Sequence, residues 1–179
     1  MSTTKRVIIT GGPGTGKSTI IDLMKQNGYT CHTEVSRSVI KKELAKGSAQ
    51  LPWDDLSGFS NLVFDGQTNQ YRNAAEGKIN FYDRGIIDVI AYLKKDNLPA
   101  DALEDLAIHY PYHTKVFLTP PWEEIYSMDE ERREDFATMN TIHEELIKAY
   151  TSFGYEVVEV PKSSSQERVK FILAHLGVE

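Results

Sequence analysis

The chain is poor in cysteine, in long apolar runs and in positive charge, and each shortage closes off a class of protein. Cys31 is the only cysteine, so no intrachain disulfide can form and a reducing, cytoplasmic setting is expected. Its apolar runs fall far short of the roughly 20 residues needed to cross a bilayer, so no membrane span is expected. The opening Met1-Ser2-Thr3-Thr4-Lys5-Arg6 leads into a short apolar strand rather than the extended apolar stretch of a secretory signal. The net charge is −6 and no basic stripe is visible, which argues against binding to bulk nucleic acid. Cys31-His32 has no partner ligands at zinc spacing, and Pro111 breaks any helix that would align His109 with His113. Neither a guanine-reading Asn/Thr-Lys-x-Asp motif nor a Leu-Ser-Gly-Gly-Gln signature is found; Lys94-Lys95-Asp96-Asn97 does not supply the former. A Ras-like GTPase and a transporter subunit are therefore disfavoured. With no internal repeat, low-complexity tract or linker, residues 1–179 read as a single domain of ordinary globular composition.

What is present is concentrated near the amino end. Gly11-Gly12-Pro13-Gly14-Thr15-Gly16-Lys17-Ser18 is a complete G-x-x-x-x-G-K-S loop. It follows the apolar run Val7-Ile8-Ile9 and precedes the helical pattern Thr19-Ile20-Ile21-Asp22-Leu23-Met24. The glycines let successive N–H groups turn toward phosphate oxygens, and the following helix adds its positive end. Gly12 through Thr19 should cradle a nucleoside triphosphate, with Lys17 reaching the β- and γ-phosphates and Ser18 binding Mg²⁺.

Strand and helix signals alternate along the rest. Strands are expected over Arg6–Thr10, Tyr29–Thr33, Ile79–Tyr82, Lys115–Leu118 and Tyr155–Val160. Helices are expected over Gly16–Asn27, Val35–Lys46, Asp54 (as cap) to about Glu76, Ile86–Lys95, after Pro99, and from about Glu131 to Phe153. Ser164-x-x-Glu167 is a capping box for a last helix whose apolar face is Val169, Ile172, Leu173 and Leu176. The alternation predicts an α/β fold, a five-stranded parallel sheet with helices on both faces. Right-handed crossovers would put the loop, Glu34, Asp83 and Thr119 at one edge, past the strand ends.

Candidate reactive groups cluster there. Asp83 can hold Mg²⁺ directly or through water, or simply cap the next helix. Arg84 beside it does not cancel it, because adjacent strand-end side chains diverge. Glu34 can accept or orient the proton of an acceptor hydroxyl, with Arg37 one turn on; the plain alternative is a first-turn glutamate favoured by the helix dipole. Trp53, after Pro52, can stack on a planar substrate or pack; Tyr110-Pro111-Tyr112 and Pro121-Trp122 read as packing. The charged run Ser127–Asp135 is either solvated helix surface or a flap delivering Arg132 and Arg133 to the transferring phosphoryl group.

These marks resemble the predicted AAA-type ATPase/kinase family of P-loop proteins that includes the ribosylnicotinamide kinase domain of bacterial NAD regulators. The resemblance is carried by the loop, Glu34-Val35-Ser36-Arg37, Leu51-Pro52-Trp53, Phe81-Tyr82-Asp83-Arg84-Gly85, Val116-Phe117-Leu118 to Pro121-Trp122, Ile125-Tyr126 with Asp129–Arg133, and Tyr150–Tyr155. It implies a three-layer, nucleotide-kinase-like fold with strand order 2-3-1-4-5 and a lid carrying Arg132 and Arg133. It implies no AAA+ motor, for which the chain is too short.

The expected function is a Mg²⁺- and ATP-dependent phosphotransferase acting on a small hydroxyl-bearing acceptor, a nucleoside or related riboside. Lys17, Glu34, Asp83, Arg132 and Arg133 would be catalytic. Glu34, Arg37, Trp53, Asp83 and Arg84 would meet the acceptor, and Ser18 and Asp83 the metal. A nucleotide-dependent regulatory module contacting a protein or lipid is the alternative, and a nucleic-acid end kinase a third. The letters do not choose between ATP and GTP, although Pro161-Lys162-Ser163 is placed to border the base.

Overall fold

The computed structural model describes residues 3–125 and 136–178. Among these, the elements run β1 (Lys5–Gly11), α1 (Lys17–Gln26), β2 (Thr30–His32), α2 (Val35–Lys46), α3 (Leu56–Arg72), β3 (Ile79–Asp83) and α4 (Ile86–Lys95). They continue with α5 (Asp101–Ala107), β4 (Lys115–Thr119), α6 (Phe136–Ser152), β5 (Glu156–Glu159) and α7 (Ser165–His175). The sheet is all-parallel in the order β2-β3-β1-β4-β5, as the resemblance implies.

Both faces of the sheet are covered, which is why β1 reads as an unbroken apolar run. Its side chains alternate between two cores. Val7 and Ile9 join Phe81, Phe117, Ile20, Met24, Val169 and Ile172 on the α1/α7 side. Ile8 joins Tyr82, Val116, Leu118, Ile86, Ile90, Leu146 and Tyr150 on the α4/α6 side. The expected apolar face of α7 is buried at Val169, Ile172 and Leu176 and half-buried at Leu173. The Ser164–Glu167 capping box is formed.

Three expectations shift. The cap of α3 is Asp55, not Asp54; its carboxylate accepts from the Gly58 N–H at 2.9 Å. That helix stops at Arg72, short of Glu76, with Asn73 as its cap. Just beyond, the Asn80 amide pins Ala75 by two hydrogen bonds. The helix after Pro99 begins at Asp101. Helix α6 is described from Phe136, and the start expected near Glu131 falls outside the described residues.

Candidate active site

The phosphate loop leaves β1 at Gly11, whose φ of 143° no other residue adopts easily. Two further left-handed turns, at Gly14 (φ 73°) and Gly16 (φ 83°), bring the chain into α1. The loop is anchored from β4: the Thr119 hydroxyl donates to the Thr10 carbonyl at 2.9 Å and lies 2.6 Å from the Thr15 hydroxyl. Lys17 is buried, and its ammonium donates to the Gly12 carbonyl at 2.6 Å. Burial, with Arg84 nearby, lowers that ammonium to about 8, against the pull of Asp83, Glu34 and Asp88.

Asp83 ends β3 beside the loop, and the Ser18 hydroxyl donates to its Oδ2 at 3.4 Å. Its Oδ1 is buried and has no hydrogen-bond partner among the described residues. Burial raises the Asp83 carboxyl to about 6, with Lys17 pulling it down and Glu34 pushing it up. Two hard oxygen donors, one unsatisfied, fit an oxygen-ligated divalent cation such as Mg²⁺. Asp83 does not cap α4. The cap position is Gly85, and Asp88 closes the box by accepting from the Gly85 N–H at 2.9 Å.

Arg84 follows in a left-handed backbone (φ 70°), an unusual conformation for a side chain with a Cβ. The strain is held by what the residue makes. Its N–H donates to the Ile9 carbonyl at 3.0 Å. Its Nε donates to Glu34 Oε1 at 3.0 Å, and Nη1 reaches the Tyr92 hydroxyl at 3.3 Å and Asp88 Oδ1 at 3.6 Å. Glu34 also accepts from the Ser36 hydroxyl at 2.6 Å and from Arg37 Nε at 3.3 Å. Burial alone would raise the Glu34 carboxyl. Arg84, then Lys17, Ser36 and Arg37, outweigh it and hold the group at about 2. Glu34 occupies the cap position of α2 but makes no side-chain cap bond. Its contacts are those of an ion-pair cluster, not of a helix start.

Loop and cluster face one cleft of about 850 Å³. Beyond Glu34 it widens into a chamber walled by Ile40, Trp53, Leu56, Phe59 and Val63, with Gln67 at its lining. Trp53 stands 38% exposed on this wall rather than in a core. At the other end the cleft is bordered by Trp122, Ser163, Ser164 and Arg168. Tyr112 is buried in packing, as read from the sequence, whereas Trp122 lines the cleft.

Of the expected site residues, the structure gathers Pro13, Gly14, Gly16, Lys17, Ser18, Thr19, Glu34, Arg37, Trp53 and Arg84 along this cleft. Asp83 adjoins it through Ser18. Gly12 and Thr15 face it less directly, supplying the acceptors that hold Lys17. Arg132 and Arg133 lie outside the described residues. Two buried residues escaped sequence reasoning. Asp88 accepts hydrogen bonds from the Thr10 and Tyr150 hydroxyls beneath Arg84, and Arg168 braces the loop from α7. The i+3 spacing of Asp88 from Gly85 was the one readable signal for the former.

Fold and loop together define a P-loop protein. A family model described as an AAA domain matches residues 6–168, and the chain belongs to that family. No curated protein is significantly similar in sequence. Among solved structures, NadR protein in complex with NR is 21% identical, with a TM-score of 0.68 over 98% of this chain and 52% of that one. The chain thus spans about half the length of NadR. Deoxyadenosine kinase from M. mycoides, with dCMP and a flexible dCDP bound, is 13% identical, with a TM-score of 0.68 over 96% of this chain and 98% of that one. Shikimate kinase from Acinetobacter baumannii, in complex with shikimate, is 12% identical, with a TM-score of 0.64 over 98% and 94%. At these identities the likeness shows a shared fold.

Proposed function

We propose that residues 1–179 form one cytoplasmic kinase unit that transfers the γ-phosphoryl group of ATP to a hydroxyl of a small acceptor, a nucleoside or related riboside. The observation that carries this reading is the chamber beside Glu34. A module that only binds or hydrolyses a nucleotide has no use for an apolar, aromatic-walled space opening off the phosphate loop and guarded by a clamped carboxylate. A small acceptor with a planar group needs such a space.

Lys17 and the loop amides would hold the β- and γ-phosphates, and Ser18 and Asp83 the metal. Bound Mg²⁺ would neutralise part of the charge on the phosphate oxygens. The acceptor oxygen bonds to the γ-phosphorus as the bridging oxygen departs with ADP, and the hydroxyl proton passes to solvent. Held at about 2, Glu34 is a weak base. Its task in this reading is orientation: Oε1 is taken by Ser36 and Arg84, while among the described residues Oε2 meets only Arg37, which leaves a lone pair for the acceptor hydroxyl. That suffices where catalysis is mostly positioning and charge stabilisation. Arg84 and Arg37 fix Glu34 and the acceptor, Trp53 stacks on its planar part, and Arg132 and Arg133 close over the γ-phosphate.

The test is ADP release across a panel of nucleosides, other ribosides, sugars and hydroxy acids. One acceptor class should raise turnover far above that with water. Acceptor-independent turnover across the whole panel would contradict the proposal and favour a regulatory ATPase.

A further inference from the structure

Arg168 lies in the first turn of α7, and its side chain crosses under the phosphate loop. Nη2 donates to the Thr15 carbonyl at 3.0 Å. Nη1 lies 2.7 Å from the point where a side chain on Gly16 would begin. The guanidinium faces Trp122, 5.9 Å from the ring centre. The residue is 2% exposed, yet among the described residues no carboxylate pairs with it, and its Nε is enclosed without a hydrogen-bond partner. It lines the same cleft as Lys17 and Ser18.

A buried guanidinium without an anion is costly, because arginine cannot shed its proton to escape the desolvation penalty. Burial is what weighs on its charge here. The other buried arginine of the cleft, Arg84, has Glu34 and Asp88 to offset the cost; among the described residues Arg168 has only neutral partners, the Thr15 carbonyl and the Trp122 ring. A further consequence comes from peptide planarity. The Thr15 carbonyl and the Gly16 N–H belong to one trans peptide and point opposite ways. Pinning the carbonyl on Arg168 therefore turns the Gly16 N–H away from it, the orientation a loop needs to present amides to an anion.

We propose that Arg168 positions the loop for polyphosphate binding: it sets the Thr15–Gly16 peptide and adds a buried positive charge that the donor's phosphates compensate. This rests on the reading of the cleft as a nucleoside triphosphate site.

The full chain, without acceptor, is titrated with ATP and with inorganic tripolyphosphate, and the ligand-free protein is melted. Arg168→Met should leave the ligand-free melting temperature at or above that of the unchanged protein, since an uncompensated buried charge is removed. Affinity for both ligands should fall about tenfold or more, equivalent to about 1.4 kcal/mol, and Arg168→Lys should recover part of it. Unchanged affinity for both ligands overturns the proposal. So does a loss with ATP but not with tripolyphosphate, which would place Arg168 at the base instead. If Arg168→Met does not fold, Arg168→Gln keeps a donor for Thr15 and removes only the charge; it should show the same loss, and unchanged affinity in it overturns the proposal. If the unchanged protein binds neither ligand, the triphosphate reading itself fails. If it binds both and the variants bind equally, only the role of Arg168 falls.

Discussion

The two ends of the cleft are built by different means. The phosphate end is a single stretch of backbone, Gly11 to Ser18, shaped by left-handed glycines and held by Thr119. The end proposed for the acceptor is an assembly of side chains from α2, α3 and α4 and from the turns after β2 and β3, in which Glu34 and Arg84, 50 residues apart, meet at 3.0 Å. A backbone site depends on local conformation and keeps its shape when most side chains change. A side-chain site depends on packing, so removing one member unbalances the others. The fold can thus keep one donor site while its acceptor chamber changes.

This contrast makes graded predictions. The largest effect belongs to the one side chain the phosphate end cannot replace. Lys17→Ala should lower turnover on the order of 10²–10³-fold, the scale for losing one preorganised charge-stabilising donor, with the melting temperature little changed. Steady-state kinetics and thermal melts check both. A large drop in stability would mean the two ends are less independent than described.

Arg84→Ala attacks the other end and should behave oppositely, costing stability as well as turnover. It leaves Glu34 and Asp88 without their shared buried partner, and breaking such a pair costs about 3–5 kcal/mol. Alanine keeps the Cβ that makes the left-handed backbone at position 84 costly, so no relief of strain offsets the loss. Denaturant unfolding measures the loss; a variant as stable as the unchanged protein would remove the clamp from the account.

A smaller effect concerns pH. With its ammonium lowered to about 8, Lys17 in the ligand-free protein loses its proton well before an exposed lysine would. Between about 8 and its ordinary 10.5 the unfolded chain binds more protons than the folded one, so Lys17 makes ligand-free stability rise with pH there. Phosphates favour the charged form, so ATP binding should weaken above pH 8 and take up protons. Calorimetry in buffers of different ionisation enthalpy should detect this uptake at pH 9, and Lys17→Ala should lack it.

The smallest effect tests the scaffold under the chamber. Asp55→Ala removes the cap of α3 and should cost about 1 kcal/mol, whereas Asp54→Ala should cost little.

The same contrast explains what could be read from the sequence. Local features were legible: the loop, the boundaries of α2 with Gly47 in a left-handed cap (φ 65°), and the Ser164–Glu167 box. Asp54 and Asp55 are equivalent as letters, and only the register of the first turn selects Asp55. Arg84 carries no sign of its left-handed backbone, because the strain is repaid by Glu34, Asp88 and Tyr92 from elsewhere in the chain. Arg168 looked like an ordinary helix residue, since its partner Thr15 is 153 residues away. Trp122 was read as packing for a related reason: its neighbour in space, Arg168, comes from helix α7, far along the chain.

The central claim is that a clamped carboxylate serves the acceptor and not the nucleotide. Equilibrium ATP binding and phosphoryl transfer in Glu34→Gln, measured with the acceptor found in the panel, test it directly. The account predicts ATP affinity close to that of the unchanged protein and transfer reduced on the order of 10²-fold or more. Transfer at the normal rate, or loss of ATP binding in step with transfer, would contradict it.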